Sequence, residues 1–406
     1  MTRFRLRRHR LLARASGADA ATVVGDMGGA QAQLLAAAGV SLWARIEGLR
    51  SSQIRAALFA ERSLVKMWCM RRTLYLVPAR DAAVFGRGTV RRVLREVRWA
   101  RNRGVAADAL TRAMDATLAA LDAPATRGEI AEAVSAELKV PLRQRVGGGG
   151  WGHAAKTAWI RVGRLSLPVG YLLHLAAVRG TYCHGPPRGN EPTFVRADAW
   201  VHGLREVGVE EAEAELLRRY LTAFGPASPA DFAWWTGCLR SEAQRTWDRL
   251  GAEIAPVSLD RTPTGVLARD LPDLTAKDEG EEPPLRLLPY FDSYLLGHAG
   301  RDHLVAPAYR DEVYRPQGWV APVVLIHGRV AGVWGQELKN GSLTVTVRPL
   351  GPSLRGALDA ITSEAEDLAG FLGAETAAVR FDRGDAIRRR ARAPPPGRSV
   401  SGRRAA

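Results

Sequence analysis

Three cysteines in 406 residues, Cys69, Cys183 and Cys238, are too few and too scattered for a disulfide framework, and no C-x-x-C pair suggests a thiolate zinc site. A reducing, cytoplasmic setting suits such a chain. It also lacks any run of about 18 apolar residues and any apolar signal-peptide core, so no membrane span or export signal is expected. Acids are missing from residues 1–18 and 386–406, which hold six and seven arginines respectively. These thirteen charges account for most of the formal +16 and leave +3 for the body. The net charge is therefore no uniform signature of nucleic-acid binding. Such tails add non-specific phosphate affinity or simply keep a protein soluble. We read residues 1–18 as a basic arm and Arg388 onward, with Pro394 to Pro396, as disordered. What the chain does have is 46% hydrophobic residues and 11 tryptophans, enough for two or three buried cores.

Gln31-Ala32-Gln33 follows the pair Gly28-Gly29. On an extended backbone two residues two apart share a side, so both amides can hold one water; on a helix they would diverge by about 200°. Alternatively, the amides satisfy backbone groups at a helix end beside the glycines. A helix beginning at Asp19 should weaken at Gly28-Gly29, leaving the glutamines at or past its end. Ser51 to Phe59 and Glu61 to Cys69 read as two short helices, and Arg72 to Pro78 alternates as a strand. That is the content of a winged helix.

A long helix is expected from about Asp81 to Asp122, broken near Gly104. Its segment 87–103 carries seven arginines and one acid, Glu96, with Arg91, Arg95 and Arg98 on one face as a phosphate-facing stripe or an ordinary solvated one. Thr126 and Glu129 form a capping box for a helix from Arg127 to Glu137. The glycines Gly147 to Gly150 have no preceding strand and no G-K-[ST] ending, so they read as a loop and not as a phosphate cradle. Lys156 to Ala177 is expected to be mostly helical with a break at Pro168, offering Lys156, Arg161 and Arg164 to phosphate. The hairpin Thr181 to Ala197 has Arg188 at its tip and follows it as a wing. A third unit comprises helices Glu210 to Phe224, Pro229 to Trp235 and Ser241 to Leu250, then strands near 254–259 and 265–268. Past a linker at 278–284, strands at Val323–Ile326, Arg329–Trp334 and Leu343–Val347 are expected, with an Asn340-Gly341 type I′ turn beside Lys339. A helix from Ser353 to Leu372 and a strand at 377–381 end the fold. The fold class is thus α+β and helix-rich: three tandem winged-helix units with a small β-rich C-terminal region. The expected divisions are 1–90, 91–200, 201–277, 278–385 and a basic tail at 386–406.

Several blocks resemble, in order, the winged-helix superfamily that contains the AlkZ-type DNA glycosylases. These are Met27 to Gln33, Ser41 to Arg45, Met70 to Val77, Gly180 to Gly185, Phe224 to Gly237, Leu287 to Asp292 and Gly328 to Trp334, so the resemblance spans roughly residues 15 to 380. It implies tandem winged helices curved around duplex DNA, Gln31 and Gln33 as the catalytic pair, and hydrolysis of the N-glycosidic bond of N7-alkylated guanine, including bulky and interstrand-crosslinked adducts. The implied setting is DNA repair or self-resistance to a genotoxin. The expected partner is double-stranded DNA carrying the alkylated guanine, bound by a monomer that needs no cofactor or metal. Arg71 and Arg72 beside the first wing are further candidates for phosphate contact. Asp292 either aids catalysis or serves as a cap or buried acceptor. Neither Cys183-His184 nor His298, Asp302 and His303 have the spacing of a metal site. The alternative to an enzyme is a winged-helix transcriptional regulator, or a protein that sequesters a drug or recognises damage, which everything but the two glutamines would serve equally.

Overall fold

The computed structural model describes residues 1–148, 154–259, 261–276, 280, 282–354 and 356–382, with side chains omitted at 144–157 and at 353. The expected tail and part of the glycine loop lie outside these residues.

The fold is mixed helix and sheet, and one order of elements recurs three times. First come helix Ala20–Asp26, strand Ala30–Gln31, helices Leu35–Trp43 and Ser51–Phe59, and strands Leu64–Trp68 and Leu74–Pro78. Strand Leu74–Pro78 lies in the middle of their sheet, antiparallel to both others. The helix from Ala20 starts where the Asp19 carboxylate accepts from the Thr22 N–H at 2.8 Å. It ends at Gly28 and Gly29, whose φ of 69° and 94° belong to the left-handed region. A Cβ on Gly28 would sit 3.0 Å from the Phe224 ring, so glycine is required for space as well as for conformation.

The second repeat has helix Ala107–Ala119, strand Ala125–Thr126, helix Arg127–Leu138, helix Val169–Ala176 and the hairpin Tyr182–Arg188 with Glu191–Arg196. Thr126 and Glu129 form the expected capping box. A separate three-stranded sheet of Arg143–Gly148, Ala154–Val162 and Leu165–Pro168 interrupts this repeat. In the third, helices Val209–Phe224, Pro229–Thr236 and Arg240–Leu250 precede the hairpin of Ile254–Leu259 and Thr262–Leu267. Ala227 bridges to Gly265 where the earlier repeats have their first strand. The C-terminal region is a five-stranded sheet, antiparallel except for Thr376–Phe381, which returns parallel to Ser342–Pro349 after helix Leu358–Leu372. Asn340 and Gly341 both have positive φ, as a type I′ turn demands.

Four expectations are corrected. Leu64–Trp68 is a strand, because it pairs along its length with Leu74–Pro78. Helix Leu35–Trp43 is absent from the sequence reading. The stretch from Lys156 is a hairpin and not a recognition helix: Ile160 and Val162 are buried and alternate with exposed Arg161, and Gly163 turns the chain with φ 59°. The long helix breaks at Gly104 as expected, but also at Thr89. The N-terminal arm is likewise folded. Helix Thr2–Arg8 carries Arg5, which is 4% exposed and donates to the Pro226 carbonyl at 2.7 Å, while Arg8 pairs with Asp270 and Arg14 with Glu364.

The first repeat sits at the centre of the packing. Its Leu42, Trp43 and Leu76 share one core with Leu325, Val345 and Phe371 of the C-terminal sheet region. Its Tyr75 and Val77 share another with Tyr220, Phe224 and Trp235 of the third repeat. The second repeat has a core of its own around Leu110, Ile130 and Leu172.

Candidate functional site

Gln31 stands opposite Tyr75 on the edge strand, and the Ala32 N–H continues the extended path by donating to the Leu74 carbonyl at 2.7 Å. Ala30 and Ala32 are buried in the core, at 1% and 0% exposure, and alternation sets Gln31 on the other side, with Gln33 in the bend that follows the strand. Gln31 is buried and Gln33 half-buried. The carbonyls ending helix Ala20–Asp26 are taken by the N–H groups of Met27, Gly28 and Gly29, so that helix end does not require the amides. Gln31 Oε1 is buried with no hydrogen-bond partner among the described residues. An acceptor left in that state costs free energy unless a water or substrate group supplies a donor.

The strand is held from behind by the block at 287–292. Ser293 Oγ donates to the Gly29 carbonyl at 2.6 Å. Beside it, Asp292 receives both terminal nitrogens of Arg45, at 2.7 and 2.8 Å, together with Ser41 Oγ at 2.6 Å and the Tyr294 N–H at 3.0 Å. Both side chains of the ion pair are wholly inaccessible. Burial by itself would raise the carboxyl's pKa, but Arg45 and the other donors outweigh it and hold the group below its ordinary value. Asp292 is thus a buried carboxylate engaged on both oxygens. Nearby His9 is pushed down to about 3, chiefly by burial and then by Arg45.

Gln31 forms part of the wall of a cleft of about 370 Å³, whose lining includes Arg71, Trp234, Phe291, Arg301, Tyr314 and Trp319. Arg71 is fixed there by the Trp235 carbonyl and the Tyr75 hydroxyl, with its guanidinium 4.7 Å above the Trp234 ring. Sequence reasoning included Arg71 but missed Arg301, Tyr314 and Trp319. Trp234 and Phe291 lie within the segments Phe224 to Gly237 and Leu287 to Asp292, yet no local signal shows that these segments meet at Gln31.

The other basic candidates divide by partner. Arg91 pairs with Glu213 and Arg95 with Glu242, so two members of the stripe join helix Val90–Asn102 to the third repeat, while Arg98 is exposed. Arg188 is held by Glu129 and the Pro124 carbonyl, which bends the hairpin tip back onto its own unit. Arg72 lies 3.4 Å from Glu96 and borders a second, open cleft with Trp99, Trp159 and Tyr171. Arg161, Arg164 and Lys339 are exposed on hairpins, and Lys156 is in a strand, with its side chain outside the described residues. Among the described residues no cluster of histidine, cysteine and carboxylate is placed to hold a metal. His298 instead contacts Arg5 at 3.0 Å, and Cys183 is buried while half-buried His184 has Trp68 and Phe194 against its ring. No helix among the described residues is long and apolar enough to cross a membrane.

The candidate site is thus a buried amide oxygen without a partner on a sheet edge, beside an aromatic and cationic cleft. The model of the AlkZ-like DNA glycosylases matches residues 24–371, and the chain belongs to that family. It is 29% identical over 379 residues to an interstrand DNA cross-link repair glycosylase of Streptomyces sahachiroi, covering 89% of this chain and 93% of that protein. The solved structure of Streptomyces sahachiroi DNA glycosylase AlkZ superposes with a TM-score of 0.74 at 27% identity, covering 94% of this chain and 98% of the other. Membership in a glycosylase family makes the chain an enzyme of N-glycosyl bonds and leaves the regulator reading without specific support.

Proposed function

We propose that this protein hydrolyses the N-glycosidic bond of N7-alkylated guanine in duplex DNA, including guanines joined in interstrand crosslinks, with Gln31 and Gln33 as the catalytic pair. The observation that carries the reading is the buried Gln31 Oε1 with no partner among the described residues, on the edge strand of the first repeat's sheet and two residues ahead of Gln33. Alkylation at N7 makes the base a cation that departs as a neutral molecule, so much of the work is done by the substrate. An amide oxygen takes no proton. It can orient an attacking water toward C1′ and stabilise positive charge developing on the sugar. A site so weak in acid–base power spares undamaged bases, whose departure needs protonation. A crosslinked base cannot swing freely out of the helix, and an open cleft suits attack without full base flipping.

The three repeats are, in this reading, winged helices of a monomer, with divisions near 90, 200 and 277, that curve around the duplex. Arg72, Arg98, Arg161, Arg164 and Lys339 reach phosphate, with Arg71 at the edge of the active site. The name of the Streptomyces relative supports crosslink repair as the setting; protection of a genotoxin producer is the same chemistry in another setting. The test is single-turnover release of free base from a duplex containing N7-methylguanine, with Gln31→Ala and Gln33→Ala as controls. Release by the unaltered protein and at least about tenfold loss in each variant is the expected result, about 1.4 kcal/mol or more of transition-state stabilisation. No release by the unaltered protein, or full activity in both variants, would overturn it.

A further inference from the structure

The open cleft bordered by Arg72 lies next to the one that holds Gln31. Arg71 lines the first and Arg72 the second, and Gly237 stands where the two meet. A Cβ added to Gly237 would come within 3.3 Å of the Arg71 Cα and 3.2 Å of a terminal nitrogen of Arg92, which also lines the second cleft. This second space, about 670 Å³, is walled by Arg92, Arg95 and Trp99 of helix Val90–Asn102, by Trp159 of the inserted sheet and by Tyr171 of helix Val169–Ala176. Trp99 is 45% exposed, the highest value of any aromatic side chain among the described residues. That exposure holds with the Arg103 guanidinium already 4.6 Å from the ring centre. Arg72 and Arg92 share one carboxylate of the lining, Glu96, at 3.4 and 3.6 Å, which leaves a net positive charge near the exposed indole. The chemistry assigned to Gln31 makes no use of these groups.

We propose that the second cleft takes an unpaired base of single-stranded DNA that leaves the duplex beside the target nucleotide, so that the enzyme binds junctions of duplex and single strand. The inference rests on the glycosylase reading for the position of the DNA, and not for the reaction at Gln31. Every base has a face that stacks on an indole, and this contact tolerates any sequence. Inside a duplex both faces of a base are covered by its neighbours, so an exposed ring in a cleft serves a base that has lost that cover. Arginines beside the ring meet the phosphates on either side of the stacked base. A seat for duplex phosphate alone would need those cations and not the rings. The volume is within the range of small-ligand sites and admits one nucleotide. Junctions of this kind arise at the proposed substrate, because a crosslink stops strand separation and DNA opened up to it ends in single strands.

The experiment measures equilibrium binding of the full-length protein to undamaged DNAs with equal numbers of phosphates: a blunt duplex, a duplex with a short 3′ overhang of thymines, one with a 5′ overhang, and the abasic counterpart of each overhang. We expect one overhang to bind at least about fivefold more tightly than the blunt duplex, and its abasic counterpart to lose that gain. Trp99→Ala should bring the ratio below about twofold, whereas Trp99→Phe, which keeps a ring, retains most of it. A 2-aminopurine in the favoured overhang should be quenched on binding to the unaltered protein and not on binding to Trp99→Ala. Equal affinity for blunt and overhang duplexes overturns the proposal, as does a gain that survives Trp99→Ala. A gain that survives removal of the bases also overturns it and makes the cleft a phosphate seat. Base release from an N7-methylguanine duplex is measured alongside: its absence sinks the glycosylase reading, while the overhang ratio still decides the cleft.

Discussion

Ser293 Oγ and the carbonyl of Gly29 are 2.6 Å apart, a buried hydrogen bond that ties the loop after Asp292 to the backbone two residues ahead of Gln31. Its loss leaves a buried carbonyl without its donor, at a cost of about 1–3 kcal/mol. Ser293→Ala is therefore expected to lower stability by that amount in denaturant unfolding. Base release should also fall several-fold while DNA affinity holds, because the strand carrying Gln31 loses a fixed reference. Unchanged release at full occupancy would separate this bond from the site.

Asp292 supplies the contrasting case. Asp292→Asn leaves Arg45 charged, buried and half-matched, and such removal of one partner costs about 3–5 kcal/mol. The folded-state pKa of Asp292 lies below its ordinary value, so its contribution is present above the unfolded pKa near 4 and is lost as pH falls through the lower folded value. Urea midpoints should drop in the variant at neutral pH, with the difference from the unaltered protein shrinking in strong acid. Base release per folded molecule should persist; its abolition in well-folded Asp292→Asn would return the carboxylate to the chemistry.

The proposed catalytic pair does not titrate, and the leaving guanine already carries its charge. Single-turnover release at saturating enzyme should then vary little between about pH 5.5 and 8.5. Gln33→Asp should remain active and acquire an acid limb as the new carboxylate is protonated. A steep bell in the unaltered protein would shift attention to a group such as His153, which lies outside the described residues.

Exposed and ion-paired arginines should separate in DNA binding. Arg98→Gln and Arg164→Gln each remove a free surface cation, and each is expected to reduce the slope of log affinity against log salt by up to about 0.9. Arg91→Gln breaks the pair with Glu213 between helix Val90–Asn102 and the third repeat, so unfolding, and not the salt slope, should register it. Deleting residues 386–406 removes seven arginines and should flatten the slope further without altering saturating release rates.

Buried histidines set the acid side of stability. Burial pushes His9 and His184 down to about 3, so both are neutral in the folded protein. Their contribution is whole above the unfolded histidine pKa near 6.5. It declines as pH falls below that value, by up to about 1.4 kcal/mol per pH unit for each histidine, until the folded pKa is reached. Denaturant unfolding between pH 7 and 4 should show this slope. His184→Phe, which keeps a ring against Trp68 and Phe194, should reduce it.

Much that depends on near neighbours was legible in the chain alone. The Asp19 cap, the Thr126–Glu129 box and the Asn340-Gly341 turn appear where expected, because each is decided within about four residues. The end of the first helix at Gly28-Gly29, which leaves Gln31 on an extended segment, was legible for the same reason. Only the tertiary structure decided that Leu64–Trp68 is a strand, that Arg91, Arg95 and Arg188 are already partnered, and that the N-terminal arginines are built into the fold. Ladder pairing and ion pairing are choices between distant segments, and a local pattern of apolar and basic residues is compatible with either outcome. The cleft is the extreme instance. Gln31, Arg71, Trp234 and Arg301 meet because the first repeat packs its two sides against the third repeat and the C-terminal region, a relationship that no spacing within the sequence encodes.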